Sequence, residues 1–231
     1  MKILSRMPVL GSGVIRSVAV VSLLASAGIA EARTLTLPQD LVPTHIVNVA
    51  SGKPQAQKGA ENFIASVAQR GIDFLGNGQQ TQAQKTESFR RLLEDSFDID
   101  AIGRFAAGQY WRQFTPEQKA DYQKYFRRRV VDMYAQRFSE YNGQKLEVIG
   151  SRPAGNAAND TVVVSHVVSP DGAEPVPVEW VVQTKGGKYK VLDVIILGTS
   201  QSINQRGQFK EIVQQGGGNV QALIDNLQQH K

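Results

Sequence analysis

The chain has 231 residues, 41% of them hydrophobic and 20% charged, with no cysteine and a formal charge of +5. That balance excludes collagen-like and low-complexity chains. The missing cysteine excludes a disulfide scaffold, thiol chemistry and a lipidated N-terminal Cys.

Lys2, Arg6 and Arg16 precede the apolar run VAVVSLLASAG (Val18 to Gly28), which is too short to span a bilayer comfortably. Ala30-Glu31-Ala32 follows, with small residues where a signal peptidase reads them. Residues 1–32 are therefore expected to be a cleaved export signal, the alternative being an uncleaved N-terminal anchor. Losing Lys2, Arg6, Arg16 and Glu31 removes +2 and leaves +3. A mildly basic surface of that kind is no nucleic-acid footprint; at most it attracts anionic membranes or acidic loops weakly. About 200 mature residues can supply a core without disulfides.

Residues 33–58 mix Thr, Pro, Gln and Gly with a few aliphatics and read as an extended arm, with a short helix at Ile46 to Ala50. The folded domain is expected over 59–231. Phe63, Val67, Ile72 and Leu75 recur near helical spacing up to Gly76, and Phe89, Leu92, Leu93 and Phe97 do so in the next segment. A short helix should start at Asp98 or Asp100, either of which can cap it. Thr115-Pro116-Glu117-Gln118 carries an N-cap, a first-turn proline and a capping-box glutamine. The helix it opens is expected to run as one stripe through Tyr122, Phe126, Val130, Met133, Tyr134, Phe138 and Tyr141, stopping at Asn142-Gly143.

Four strand-like runs follow: QKLEVIG, TVVVSHVVS, VPVEWVVQT and KYKVLDVIILGTS. Pro170-Asp171-Gly172 and Lys185-Gly186-Gly187 are tight turn signals, which force antiparallel pairing. In VPVEWVVQT, Glu179, Val181 and Gln183 form the wetter face. In the last run strict alternation groups Lys190, Leu192, Val194 and Ile196 against Tyr189, Val191, Asp193, Ile195 and Leu197. Neither group is a water face, so both sides of the strand are expected to be covered. After Gly198 the pattern is helical again, in two stretches separated by Gly216-Gly217-Gly218. The fold class is α+β: N-terminal helices, an antiparallel sheet of four strands or slightly more, and C-terminal helices.

Chemistry is sparse. His45, His166 and His230 have no metal-like partner at helical spacing, and His166 reads as a satisfied sheet histidine. Gly198-Thr199-Ser200-Gln201-Ser202 lacks the closing glycine of a nucleophile elbow. The glycine run at Gly216 has no Walker lysine. Asp193 sits among aliphatics, where a charge needs a partner such as an Arg or a helix N-terminus. Arg127 to Arg129 read as a solvated helix face or as a head-group phosphate site. No catalytic residue, metal ligand or cofactor is expected. The aromatic helix and the two-faced strand supply more apolar surface than one two-layer contact uses, so extra helices cover it or a cavity accepts an apolar ligand.

The run Phe97 to Gln144, then PVPVEW, KGGKYKVLDVIILGTS, Arg206-x-x-Phe209 and the closing stretch Gly217 to Leu227, resembles the MlaC, or toluene-tolerance, family of periplasmic phospholipid-binding proteins. The resemblance covers most of the mature chain, in the family's order of elements. It implies a periplasmic, non-enzymatic phospholipid carrier that is monomeric. Its implied partners are an outer-membrane lipoprotein complex and an inner-membrane ABC transporter, with maintenance of outer-membrane lipid asymmetry as the role. Acyl tails would lie in an apolar pocket between sheet and helices, the head group near solvent. Tyr134 matches the family's pocket tyrosine in Y-x-x-x-x-x-x-Y-x-G, and Leu192 and Thr199 align with pocket-lining positions. Phe105, Phe138, Trp180, Val194 and Ile196 join them on facing arguments, with plain core as the other reading. The family often has Tyr-Asp where this chain has Leu192-Asp193, and Glu-Gly-Val-Ser where it has Leu197-Gly198-Thr199-Ser200. Those departures leave a hopanoid-like cargo open, as a related branch is associated with hopanoid loci. An exported protein-interaction module without lipid is the reading from another class.

Overall fold

The computed structural model describes residues 54–155 and 159–229. The expected export signal, the arm up to residue 53, the short helix at 46–50, His45 and His230 lie outside the described residues.

The first helix, α1 (Pro54–Leu75), starts ahead of Gly59, where the sequence pattern places the domain boundary. The next, α2 (Gln82–Ser96), is opened by Thr81 in a reciprocal capping box with Gln84. Asp98, not Asp100, caps α3 (Ile99–Ala107), its carboxylate accepting from the Ala101 N–H at 2.9 Å. A 3-10 turn over Gly108–Arg112 then leads to α4 (Pro116–Ala135), which opens on the expected Thr115–Gln118 capping box.

The expected end of that helix needs correction. α4 stops at Ala135, and Phe138–Glu140 form a separate 3-10 turn. The Arg137 N–H bonds Tyr134 O three residues back at 3.0 Å, which tightens the last turn and redirects the chain. The apolar stripe continues through the redirected segment because Phe138 and Tyr141 still meet the same interior.

Strands β1 (Lys145–Pro153), β2 (Asp160–Val168), β3 (Val176–Lys185), β4 (Lys188–Ile196) and the two-residue β5 (Thr199–Ser200) form one antiparallel meander in sequence order. The chain closes with α5 (Gln201–Gln215) and α6 (Gln221–Gln229). This is the expected α+β order.

The sheet's inner face is apolar. Val178 lies opposite Ile196, Trp180 opposite Val194 and Val182 opposite Val191, and all six are buried. Strict alternation cannot put Val191 and Val194 on one face. A bulge does: Val181 pairs with Asp193 and Val182 with Val191, leaving Leu192 unmatched. The expected grouping of Leu192 with Val194 and Ile196 is therefore corrected. The expectation that both faces are covered holds only in part, since Leu192 and Ile195 are half-buried and Leu197 is 66% exposed.

Helix α1 lies across the inner face. Its Ala60 and Ile64 share a core with Val163, Val178 and Val182, and Glu61 accepts a 2.8 Å hydrogen bond from Ser151 on β1. Gly59 makes room there: a Cβ would sit 1.9 Å from the Tyr189 hydroxyl, so a larger residue displaces that ring. A second core joins α3, α4, α5 and α6 through Tyr122, Phe126, Phe209, Leu223 and Leu227. Tyr122 stacks on Phe126 and meets Phe209 edge-on, and its hydroxyl donates to Gly103 O at 2.7 Å. Among the described residues no helix is long and apolar enough to cross a membrane.

Candidate functional site

Between the sheet and the helices the packing leaves a cavity of about 240 Å³. Its walls follow from amphipathic faces that meet without filling the space between them. Helix α1 contributes Val67, Ala68, Gly71, Ile72, Phe74 and Leu75; α2 contributes Phe89, Leu92 and Leu93. The C-terminal half of α4 adds Val130, Met133 and Tyr134, followed by Phe138 and Tyr141. The sheet closes the far side with Val167, Trp180 and Val194.

The aromatic wall is held by ring contacts. Phe89 meets Tyr134 and Phe138 edge-on at 5.8 and 5.4 Å, and Phe97 meets Trp180 at 6.5 Å. Trp180 has its polar edge satisfied, since its indole N–H donates to the Ser165 hydroxyl at 3.0 Å. Ser165 in turn donates to Val178 O at 2.8 Å. The indole thus offers the cavity only apolar surface.

One end of the cavity is polar. Asp193, the charge that lacked a partner in the sequence, lines it together with Gln201, Ser202 and Gln205. Its carboxylate accepts from the hydroxyls of Ser200 and Ser202 and from the Ser202 N–H at 3.0 Å. Ser202 lies in the first turn of α5 and Ser200 is that helix's N-cap, so a helix N-terminus is the partner, as expected. Gln144 and Lys145 form a second polar patch beside Tyr141.

Tyr134 behaves differently. Burial pushes its phenol up to about 12, against a smaller opposing pull from the Arg137 charge. Part of its surface is nevertheless accessible. The two observations agree if the accessible part faces the cavity interior, away from bulk water. Its hydroxyl makes no hydrogen bond among the described residues.

Of the eight residues singled out in the sequence, Tyr134, Phe138, Trp180 and Val194 stand on the cavity wall. The other four do not. Phe105 is 44% exposed on α3, under the Arg206 guanidinium at 5.5 Å. Leu192 is the bulge residue. Ile196 is buried in the core between α1 and the sheet. Thr199 is exposed in β5, where its carbonyl accepts from the Gln201 amide at 3.0 Å. None of Arg127, Arg128 and Arg129 lines the cavity. Arg127 pairs with Asp100 at 2.8 Å, and Arg128 donates to Gln228 O. The α1 and α2 walls were missed because their apolar residues read as ordinary core; only Gly71, a glycine inside a helix, was a signal.

The family described as "MlaC protein" matches residues 65–229. The chain belongs to that family. Toluene tolerance protein ttg2D of Pseudomonas putida is 29% identical over 157 residues, 66% of this chain and 72% of that protein. The intermembrane phospholipid transport system binding protein MlaC of Haemophilus influenzae is 23% identical over 134 residues, 57% of this chain and 61% of that one. The structure of a phospholipid-binding protein from Ralstonia solanacearum in complex with a phospholipid superposes with a TM-score of 0.61. It covers 75% of this chain and 94% of that one at 24% identity, which supports the α+β architecture of this MlaC-family chain.

Proposed function

We propose that the chain is a periplasmic phospholipid carrier. It would hold acyl chains in the cavity, keep the head group at a polar edge, and pass lipid between an outer-membrane complex and an inner-membrane ABC transporter. The observation that carries this reading is the apolar cavity between α1, α2, α4 and the sheet. Family membership, and the phospholipid-related names of the MlaC relative and the structural neighbour, support it. Each buried methylene contributes about 0.8 kcal/mol, so one long tail supplies on the order of 10 kcal/mol. At about 240 Å³ the cavity is just below the usual range for ligand sites, roughly 300–1,000 Å³. Taking up a whole tail therefore spreads the walls, and a docked partner that spreads them further would release the cargo. No bond in the lipid is broken.

The test is transfer. Full-length mature protein is incubated with donor vesicles carrying labelled phosphatidylethanolamine, separated, and then mixed with acceptor vesicles. The reading expects label to travel with the protein and reach the acceptors; label that never leaves the donors contradicts it.

A further inference from the structure

A second stripe of α5, distinct from the one that lines the cavity, carries a surface of different character. Ile203, Arg206 and Lys210 follow one another at helical spacing, so they share one side of the helix, and all three are exposed. Phe105 of α3 joins them, 44% exposed beneath the Arg206 guanidinium at 5.5 Å. Its neighbour Arg104 is exposed as well. At the head of the helix the turn between β4 and β5 adds Leu197, 66% exposed, beside an Ile203 that is 62% exposed. None of these residues lines the cavity.

Two features set this surface apart from scattered exposed side chains. The first is backbone. Leu197 has a φ of +50°, in the left-handed region that glycine and asparagine adopt readily and a branched aliphatic does not. Leucine therefore strains the turn there, and its exposed side chain returns no packing to the fold. The second is charge. Arg104, Arg206 and Lys210 are the cations of α3 and α5, and none of them forms an ion pair among the described residues. Of the acids on those helices, Asp100 is engaged by Arg127 at 2.8 Å, which leaves Glu211. A guanidinium lying over a ring keeps its N–H edge available to an anionic oxygen.

We infer that this surface docks on an anionic lipid bilayer, with Leu197, Ile203 and Phe105 entering the head-group layer and Arg104, Arg206 and Lys210 meeting lipid phosphates. A bilayer answers both halves of the composition at once: its phosphates take the cations and its acyl boundary takes the aliphatics. The contact also sets the membrane beside the polar end of the cavity, because Gln201, Ser202 and Gln205 of the same helix line that end. The inference goes beyond the carrier reading and stands on residues outside the cavity.

The experiment is flotation of the protein, purified from its own cells, with two kinds of vesicle: phosphatidylcholine alone, and phosphatidylcholine mixed with phosphatidylglycerol. The wild type should float with the anionic vesicles, stay behind with the neutral ones, and be released by added salt. Lys210→Gln should weaken binding about fivefold, the factor that one cation near an anionic surface contributes. Leu197→Asn suits the left-handed backbone, so it should keep or raise the melting temperature while weakening binding about threefold or more. Thermal melting of both variants establishes that they are folded. No flotation with the anionic vesicles overturns the inference and leaves the surface to a protein partner. Flotation that both variants leave unchanged overturns it too, as does equal flotation with neutral vesicles, since the cations would then contribute nothing. Lipid carried by the protein is read separately by mass spectrometry, so the carrier reading stands or falls on its own.

Discussion

Tyr122 and Tyr134 stand on the same face-rich helix, yet they serve two different interiors. Tyr122 is fully buried, stacks on Phe126, and spends its hydroxyl on Gly103 O. Tyr134 meets Phe89, lines the cavity, and its hydroxyl has no hydrogen-bond partner among the described residues. Burial raises both phenols, so desolvation alone does not distinguish them. What distinguishes them is closure. Around Tyr122 the α3–α4–α5–α6 interior is packed and the phenol is paired, while the α1–α2–sheet interior leaves a cavity. A helix can thus hold a fold together at one end and present a binding wall at the other.

Several substitutions sharpen or break that contrast. Tyr122→Ala should cost about 3–5 kcal/mol of unfolding free energy, because a large aromatic leaves a packed core. Tyr122→Phe should cost about 0.5–1.5 kcal/mol, because the buried hydrogen bond to Gly103 O is lost. Tyr134→Phe should stay within about 0.5 kcal/mol of wild type, as no protein bond is lost. Urea midpoints on the three variants decide it; equal losses for the two Phe variants would erase the contrast.

Removing Asp193 as Asp193→Ala should cost about 1–3 kcal/mol, since the first turn of α5 and two serines lose their acceptor. An unchanged melting temperature would show that Asp193 is not what anchors α5 to β4. Gly71→Leu works in the opposite direction. A Cβ there meets only Leu92 Cδ2, at 3.9 Å, so the side chain can grow into the cavity. Helix propensity should add up to about 1 kcal/mol while lipid occupancy falls severalfold. A variant that is stable and still fully loaded would remove this wall from the site.

A further difference appears only at alkaline pH. Tyr134 titrates near 10.0 when unfolded and at about 12 when folded. Between those values the folded state holds a proton that the unfolded chain has released, so stability falls as pH rises, by at most about 1.4 kcal/mol per unit. Stability measured from pH 9.5 to 11.5 should fall less steeply in Tyr134→Phe; identical slopes would mean the phenol is solvated.

The same contrast explains what was legible in the sequence. Thr115 marked its helix start, and Asp98 was one of two candidates at its own, because capping chemistry is local; the Thr81 cap went unread. The stripe through Tyr122, Phe126, Val130, Met133 and Tyr134 identified a buried face, but filled core and cavity wall look alike in sequence. Leu192 was misplaced because alternation assumes a regular ladder, and the bulge that re-aims β4 is decided by its pairing with β3. Ile196 and Val194 share a strand face and one buried cluster, yet only Val194 also borders the cavity. That difference depends on how the helices pack over the sheet, which no local signal encodes.

The central claim is that the interior between α1, α2, α4 and the sheet is a lipid site rather than a packing defect. Native mass spectrometry of the protein, purified from its own cells without detergent, tests it most directly. The account predicts a complex heavier than the polypeptide by one or more phospholipids, lost on solvent extraction and reduced in Gly71→Leu. A single species at the polypeptide mass, unchanged by extraction and unable to take up added phospholipid, would contradict it.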